Sequence, residues 1–364
     1  SQCLTNLLPG QLNCEFQPVR GNVPTRLRKM ALESAGLVLA KAGLDRLLEG
    51  ERDGYLQIGL RDLLKDCRFQ VLPISLNPPA PAQGALAVEI LRDRQDLNQL
   101  CAEFIDEKTF ACVKRERAVL QRYGGGCHQK IGVAVLPRSY GVICAMRGLT
   151  DAGEVLQDWR IESAAPWSRA ASAEKVFPLR PQDNSWFKRR HIPLSESLTT
   201  VDGLFVARAE AWPQGYLPQP TQIVWTAGVQ TWIKLARQGV WVQGCFDGLG
   251  EGEDMGLDLI AGRTVEFTKL THSDGNASPS QKVRRTYCLE DKEDAPDLRG
   301  KTHFFWMSRT SFERARKLYP KEISEGHHAC GPGLTYDYLK DLKNLKHPVK
   351  VFISLQQFLD ESLP

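Results

Sequence analysis

Apolar residues fall into short runs broken by turn residues, and their spacing alternates between the period of a strand and that of a helix. Residues 15–20 (EFQPVR) predict a short strand. A turn at Gly21-Asn22 follows, and Pro24 opens a helix, where its missing N–H would be unpaired in any case. Residues 36–39 (GLVL) predict a buried strand, and a helix begins at residues 45–48. This strand–helix–strand–helix order points to an α/β layer. Residues 77–83 (NPPAPAQ) hold three prolines, which remove donors and fix φ, so a stiff hinge is expected there. Beyond it come a strand at 85–90, a helical stretch from 96 and a helix over 109–123, broken by Gly124-Gly125-Gly126. Partly alternating runs at 131–137, 141–147 and 155–162 predict an antiparallel sheet packed on helices.

Residues 163–172 have linker composition and predict a boundary. After it, strands are expected at 203–207, 222–226, 240–246, 263–268, 283–289, 302–307 and 349–353, with helices at 229–238, 310–319 and 335–343. Residues 223–231 (IVWTAGVQT) and 327–335 (HHACGPGLT) echo each other as a strand, a glycine and a helix start, which suggests two similar lobes. Residues 271–282 form a polar loop.

Composition narrows the function. With 42% apolar and 25% charged residues, the chain is an ordinary folded protein with material for more than one core. A net charge of +4 with no lysine-rich run gives no reason to expect nucleic acid. No apolar run reaches the roughly 18 residues of a membrane span, and residues 1–4 do not resemble a signal peptide. The seven His and ten Cys include no C-x-x-C and no H-E-x-x-H, so no metal site is expected. The irregular cysteines read as reduced thiols of a reducing, cytoplasmic compartment.

Four segments, in order, resemble porphobilinogen deaminase (hydroxymethylbilane synthase). Residues 20–29 (RGNVPTRLRK) resemble R-G-N-x-x-T-R-L-R-K, and residues 34–47 resemble D-A-x-x-L-A-x-A-G-L-x-R-L. Residues 79–89 (PAPAQGALAVE) resemble P-A-P-G-Q-G-A-L-x-I-E, and residues 116–120 with 125–127 resemble E-R-A-x-L…G-G-C. The resemblance implies a dipyrromethane cofactor held by a thioether on Cys127, with Arg20, Arg26, Gln83 and Gly84 as cofactor-binding residues. Guanidinium groups suit a growing chain of carboxylates because they bind each one in a planar, two-pronged way. Read alone, Arg20 and Arg26 are equally solvated helix-start arginines, Cys127 a loop thiol and Gln83-Gly84 a hinge. The family's usual Gly is Ala82 here, and its H-S-x-K-D-x-P and S-S-x-R-R motifs are not in the sequence. The resemblance therefore implies either a complementary chain carrying the rest of the deaminase or a longer polypeptide of which this sequence is one piece.

Residues 173–364 resemble uroporphyrinogen-III synthase. Residues 202–208 (DGLFVAR) match its D-x-x-x-F-T-S-x, 227–231 (AGVQT) its V-G-x-x-T, and 285–288 (RTYC) its V-Y-x-T. Residues 304–308 (FFWMS) match a second F-T-S, and 329–335 (ACGPGLT) match I-G-P-T-T with one insertion. The resemblance implies cyclisation of hydroxymethylbilane without metal or organic cofactor, with Tyr287 as the catalytic cleft tyrosine. It implies substrate carboxylates held at Gly228, Thr231, Gly331 and Thr335, with Ser308 as a further donor. By themselves Tyr287 also reads as a strand tyrosine and the two threonines as helix caps.

The expected architecture is α/β: a deaminase-type α/β domain and an α+β domain with a three-stranded antiparallel sheet, then a two-lobed α/β synthase-like domain. The expected segments are 1–83 with the hinge, 84–104 belonging to the deaminase first domain, 105–165 carrying the cofactor cysteine, and 173–364. The leading function is a fused transferase and lyase of tetrapyrrole (haem) biosynthesis acting on pyrrole substrates. The alternatives are a pseudoenzyme or scaffold of the same folds, and a two-lobed small-molecule binding protein.

Overall fold

The computed structural model describes residues 2–10, 12, 14–33, 35–126, 129–194, 197–252, 254–273, 275 and 282–364. Helices come first: α1 (Gln2–Leu7), α2 (Val23–Glu33), α3 (Lys41–Arg52), α4 (Leu60–Leu64), α5 (Gln95–Ala102) and α6 (Glu107–Gln121). Next is a meander of β1 (Lys130–Arg138), β2 (Gly141–Leu149) and β3 (Val155–Glu162). The rest alternates: β4 (Val176–Phe177), β5 (Phe187–His191), β6 (Gly203–Val206), β7 (Ile223–Thr226), α7 (Val229–Ala236), β8 (Gly244–Cys245), α8 (Asp258–Ala261), β9 (Phe267–His272) and β10 (Lys282–Asp291). It closes with β11 (His303–Trp306), α9 (Arg309–Leu318), α10 (Pro320–Glu325), β12 (His327–Cys330), α11 (Leu334–Lys340), β13 (Lys350–Val351) and α12 (Leu355–Ser362).

The chain divides into two compact units. The first comprises residues 1–72, 189–246 and 251–290. Its sheet has the order β5-β10-β9-β6-β7-β8, with β10, β9, β6, β7 and β8 mutually parallel. β6 and β7 are buried at every position, as strands covered on both faces must be. In α3, Leu44 and Leu48 lie one turn apart and pack with Leu27 and Leu60, and against Leu259 and Ile260. Residues 1–72 are also tied to the sheet by polar contacts. The indole N–H of Trp232 donates to the Leu7 carbonyl at 2.9 Å, that of Trp241 to Phe69 at 3.1 Å, and the Val71 amide to Gln243 at 2.7 Å.

The second unit comprises residues 73–188, 247–250 and 291–364. Its antiparallel β1-β2-β3 sheet, with α6 against it, is the one the alternation predicts. A parallel sheet of order β13-β12-β11-β4 surrounds Phe304, Trp306, Phe312 and Cys330. Gln357 joins the two layers: its side chain accepts from the Ile161 and Ile353 amides and donates to the Ile161 carbonyl.

Three expected strands do not form. Residues 15–20, 36–39 and 85–90 belong to no helix or strand. A strand exists only where another supplies its hydrogen bonds, and none of these segments has such a neighbour among the described residues. The expected strands 240–246 and 349–353 shorten to Gly244–Cys245 and Lys350–Val351. The two strand–glycine–helix echoes are real: β7 leads into α7 and β12 into α11.

Candidate functional site

In the deaminase-like part, α2 begins where Pro24 predicts, with Asn22 Oδ1 accepting the Thr25 amide at 2.9 Å. Arg26, in the opening turns of α2, folds back to donate from Nε to the Gly21 carbonyl at 2.6 Å. Arg20 is exposed, and Lys29 donates to its carbonyl at 3.3 Å. Arg20 and Arg26 flank the start of α2, and guanidinium groups there suit carboxylates. Cys127 lies outside the described residues.

The hinge is a built structure. Pro78 and Pro79 run against β1, where the Val133 amide donates to Pro79 at 2.9 Å. Any Cβ at Gly132 would run into the Pro78 carbonyl oxygen, so only glycine fits there. Gln83 Oε1 accepts the Ala80 amide at 3.2 Å and Gly84 turns the chain at φ +87°. Ala82 adopts φ +63°, the left-handed region, at the position that is glycine in the motif. Glu116 holds it there: one carboxylate oxygen accepts the Ala82 amide at 2.8 Å and the other the Val135 amide at 3.0 Å. Sequence reasoning used Glu116 only as part of a motif and missed this clip.

In the first unit, Tyr287 on β10 is 3% exposed and pairs in register with His272, the last residue of β9. Burial pushes the phenol above its ordinary range, opposed by the nearby Arg208 and Arg189. Arg208 lies two residues beyond the end of β6. Burial pushes its guanidinium down, and the like charge of Arg189 adds to that. Glu210 follows, ion-paired to Lys234 of α7 at 3.4 Å. Gly228 occupies the N-cap of α7 without a side-chain cap, so Thr231 is not a capping residue. His272, Arg208, Gly228 and Thr231 lie at or just beyond the carboxyl ends of parallel strands, and Tyr287 is level with His272 on the neighbouring strand, at the edge where open α/β sheets take ligands. Arg208 and Arg189 were missed. The only sequence signal was an arginine closing the quoted segment 202–208.

The remaining candidates are in the second unit. Ser308 Oγ caps α9 by accepting the Ser311 amide at 3.2 Å, and also contacts the Thr310 and Ser311 hydroxyls. Gly331 and Thr335 flank the Gly333 N-cap of α11. A 480 Å³ cleft in the first unit, lined by Glu51, Arg52, Arg61, Asp258 and Arg263 among others, contains none of the expected site residues. Among the described residues no group of three or more His, Cys, Asp or Glu could hold a metal, and no helix is long and apolar enough to cross a membrane. Cys14, Cys67, Cys101, Cys112, Cys144, Cys245, Cys288 and Cys330 are free thiols.

Residues 3–99 match the family model described as porphobilinogen deaminase, dipyromethane cofactor binding domain. The porphobilinogen deaminase of Bordetella parapertussis is 36% identical over 155 residues, 42% of this chain and 44% of its own length. That of Clostridium novyi is 38% identical over 116 residues, 32% of this chain and 35% of its own length. Among solved structures, uroporphyrinogen-III synthetase from Helicobacter pylori aligns at a TM-score of 0.33 and 13% identity, covering 48% of this chain and 88% of its own. The first part of the chain is thus related to the porphobilinogen deaminases. The chain spans 35% and 44% of the length of the two relatives named here.

Proposed function

We propose that this protein works in tetrapyrrole (haem) biosynthesis, with its second half cyclising hydroxymethylbilane to uroporphyrinogen III. The observation that carries the reading is Tyr287, a buried phenol kept protonated at neutral pH at the carboxyl edge of a parallel sheet. Such a phenol is a donor to a departing hydroxyl. The hydroxyl takes the phenol proton and leaves as water. Ring closure then releases a pyrrole proton, which restores the phenol. The leaving group departs readily from an electron-rich pyrrole, so the protein's work is to shape the chain and anchor its carboxylates.

The deaminase-like part would hold dipyrromethane on Cys127, with Arg20 and Arg26 on its carboxylates and Gln83-Gly84 at the hinge. When bound, that group supplies the pyrrole primer for polymerisation. Deaminase activity would also need the H-S-x-K-D-x-P and S-S-x-R-R motifs, from a complementary chain or from a further stretch of the same polypeptide. A scaffold reading competes, since Val206 and Ala207 stand where the synthase motif has two hydroxyls.

The test is to supply hydroxymethylbilane to the full chain and separate the isomers formed. Enzyme-dependent type III product is expected. Spontaneous type I product alone, from folded protein, sinks the synthase reading and leaves the scaffold.

A further inference from the structure

The 480 Å³ cleft of the first unit has one wall from α3 and α4 and the other from residues 258–264, at α8 and just beyond it. Its volume falls within the roughly 300–1,000 Å³ of small-molecule sites. Two of its arginines are already neutralised. Arg52 is ion-paired to Glu49 at 3.5 Å and to Asp53 at 2.8 Å, and Arg263 to Asp202 at 3.0 Å. Three other charges in the lining are matched only by neutral groups. The half-buried Arg61 guanidinium donates to the Ile260 and Leu259 carbonyls of α8. Gly262, at φ +73°, leaves the room that guanidinium occupies. Glu51, also half-buried, accepts the Leu60 amide at 2.8 Å and the Arg61 amide at 3.2 Å, and these bonds keep it ionised against the effect of burial. Asp258 accepts the Thr264 hydroxyl at 3.1 Å. Among the described residues none of the three has an ion-pair partner within 4.0 Å. Arg61 attracts Glu51 only at longer range.

We propose that this cleft binds a small zwitterion, its ammonium group taken by Glu51 and Asp258 and its carboxylate by Arg61. A guanidinium has five N–H donors, so the two carbonyls leave Arg61 donors for a carboxylate and hold its plane in place. An ammonium group has three donors and no acceptor, which suits carboxylates supplied from two elements. A simple anion would meet Glu51 and Asp258 as like charges, and a simple cation would leave Arg61 unmatched. Free amino acids and porphobilinogen, an aminomethyl pyrrole with carboxylate arms, share this chemistry. The class of ligand follows from the cleft and does not rest on the cyclisation reading. Because the walls come from residues 48–61 and 258–264, a bound ligand ties those two stretches together and stabilises the unit by mass action.

The experiment titrates the full chain with porphobilinogen and with glutamate by isothermal calorimetry. Glutarate and butylamine serve as half-molecules that lack the ammonium or the carboxylate. At least one zwitterion should bind and raise the melting temperature, and each half-molecule should bind roughly tenfold to a hundredfold more weakly. Tighter porphobilinogen identifies a pyrrole ligand, tighter glutamate an amino acid, and both support the class. Arg61→Gln and Asp258→Asn should each weaken the zwitterion by a similar factor. Asp258→Asn should not weaken glutarate, an outcome that general damage to the cleft would not give. Because Arg61 also holds the α8 carbonyls, circular dichroism and melting accompany its variant. The exposed Asp258 carries the test if Arg61→Gln unfolds. Wild-type protein that binds neither zwitterion overturns the proposal, as does a half-molecule that binds as tightly as the whole. Undiminished zwitterion affinity in Asp258→Asn overturns it too. Zwitterion binding by protein that forms no type III product leaves the cleft standing and removes only the cyclisation reading.

Discussion

Ala82 carries a cost that glycine would not. The left-handed region costs an L-residue about 1–2 kcal/mol, and Ala82 stands at φ +63° with its amide fixed on Glu116. Ala82→Gly is therefore expected to raise stability by up to about 1 kcal/mol, after the loss of backbone entropy, as read by urea denaturation. Glu116→Gln should do the reverse. Its amide nitrogen would face the Ala82 or the Val135 N–H, donor to donor, at a cost of about 1–3 kcal/mol. An unchanged denaturation midpoint would show that the clip does not matter to the hinge. These details were only half legible. The hinge was plain from its prolines, but the motif position of Ala82 said nothing of its backbone angle. Glu116 is an ordinary helical glutamate until the fold brings two amides to it. Arg208 is similarly anonymous among 47 basic residues until its strand and that of Tyr287 are aligned.

At the scale of elements, β12 and α10 are coupled by one imidazole. His328 is fully buried, accepting from the Trp306 indole at Nδ1 (3.0 Å) and donating from Nε2 to the Ile323 carbonyl at 2.7 Å. A second proton would set an N–H against the indole N–H, and burial already pushes the group down to about 4. The unfolded chain binds that proton near pH 6.5, whereas the folded protein resists it until about pH 4. Stability from this group is thus full above the unfolded value, falls as pH drops through that window, and changes no further below it. The loss amounts to about 3 kcal/mol, and the neighbouring His327, also pushed down to about 4, acts in the same direction. Denaturation midpoints from pH 7 to 4 should fall, and His328→Gln should flatten the slope; an equal slope in the variant would refute the assignment. The pattern along the chain found α2, α3, α5, α6, α7, α9, α11 and the β1–β2–β3 meander because their periods are met by local partners, and it missed α1, α4, α8, α10 and α12. It failed at residues 15–20, 36–39 and 85–90 because an apolar alternation records what a segment can pair with and not whether a partner is there.

At the scale of the whole molecule, residues 1–72 are part of the core of the unit that carries Tyr287. A fragment 173–364 would leave the Trp232 and Trp241 indoles without the Leu7 and Phe69 carbonyls, and Leu259 and Ile260 without their helical cover. It should melt well below the full chain, and an identical melting temperature would contradict this. In the second unit, the segment after the hinge is left uncovered among the described residues. Leu86 is 98% exposed and Leu91 72%, and Val88, Phe104, Ile105 and Phe110 are exposed as well. Leu86, Val88 and Ile90 alternate as one face of a strand, yet residues 85–90 have no ladder. Contiguous apolar exposure with unpaired backbone is a surface that proteins cover. On the proposed reading, the expected occupant is the rest of a deaminase, on a separate chain or on a further stretch of the same polypeptide. Docking would add residues 85–90 to that partner's sheet and bury the leucines against it. Mass spectrometry of the protein from its source should then find this sequence in a complex with, or joined to, polypeptide bearing H-S-x-K-D-x-P. Amide exchange over 84–104 should be fast in the isolated chain and slow in the complex. A soluble monomer with those amides already protected would refute the partner and favour the scaffold reading.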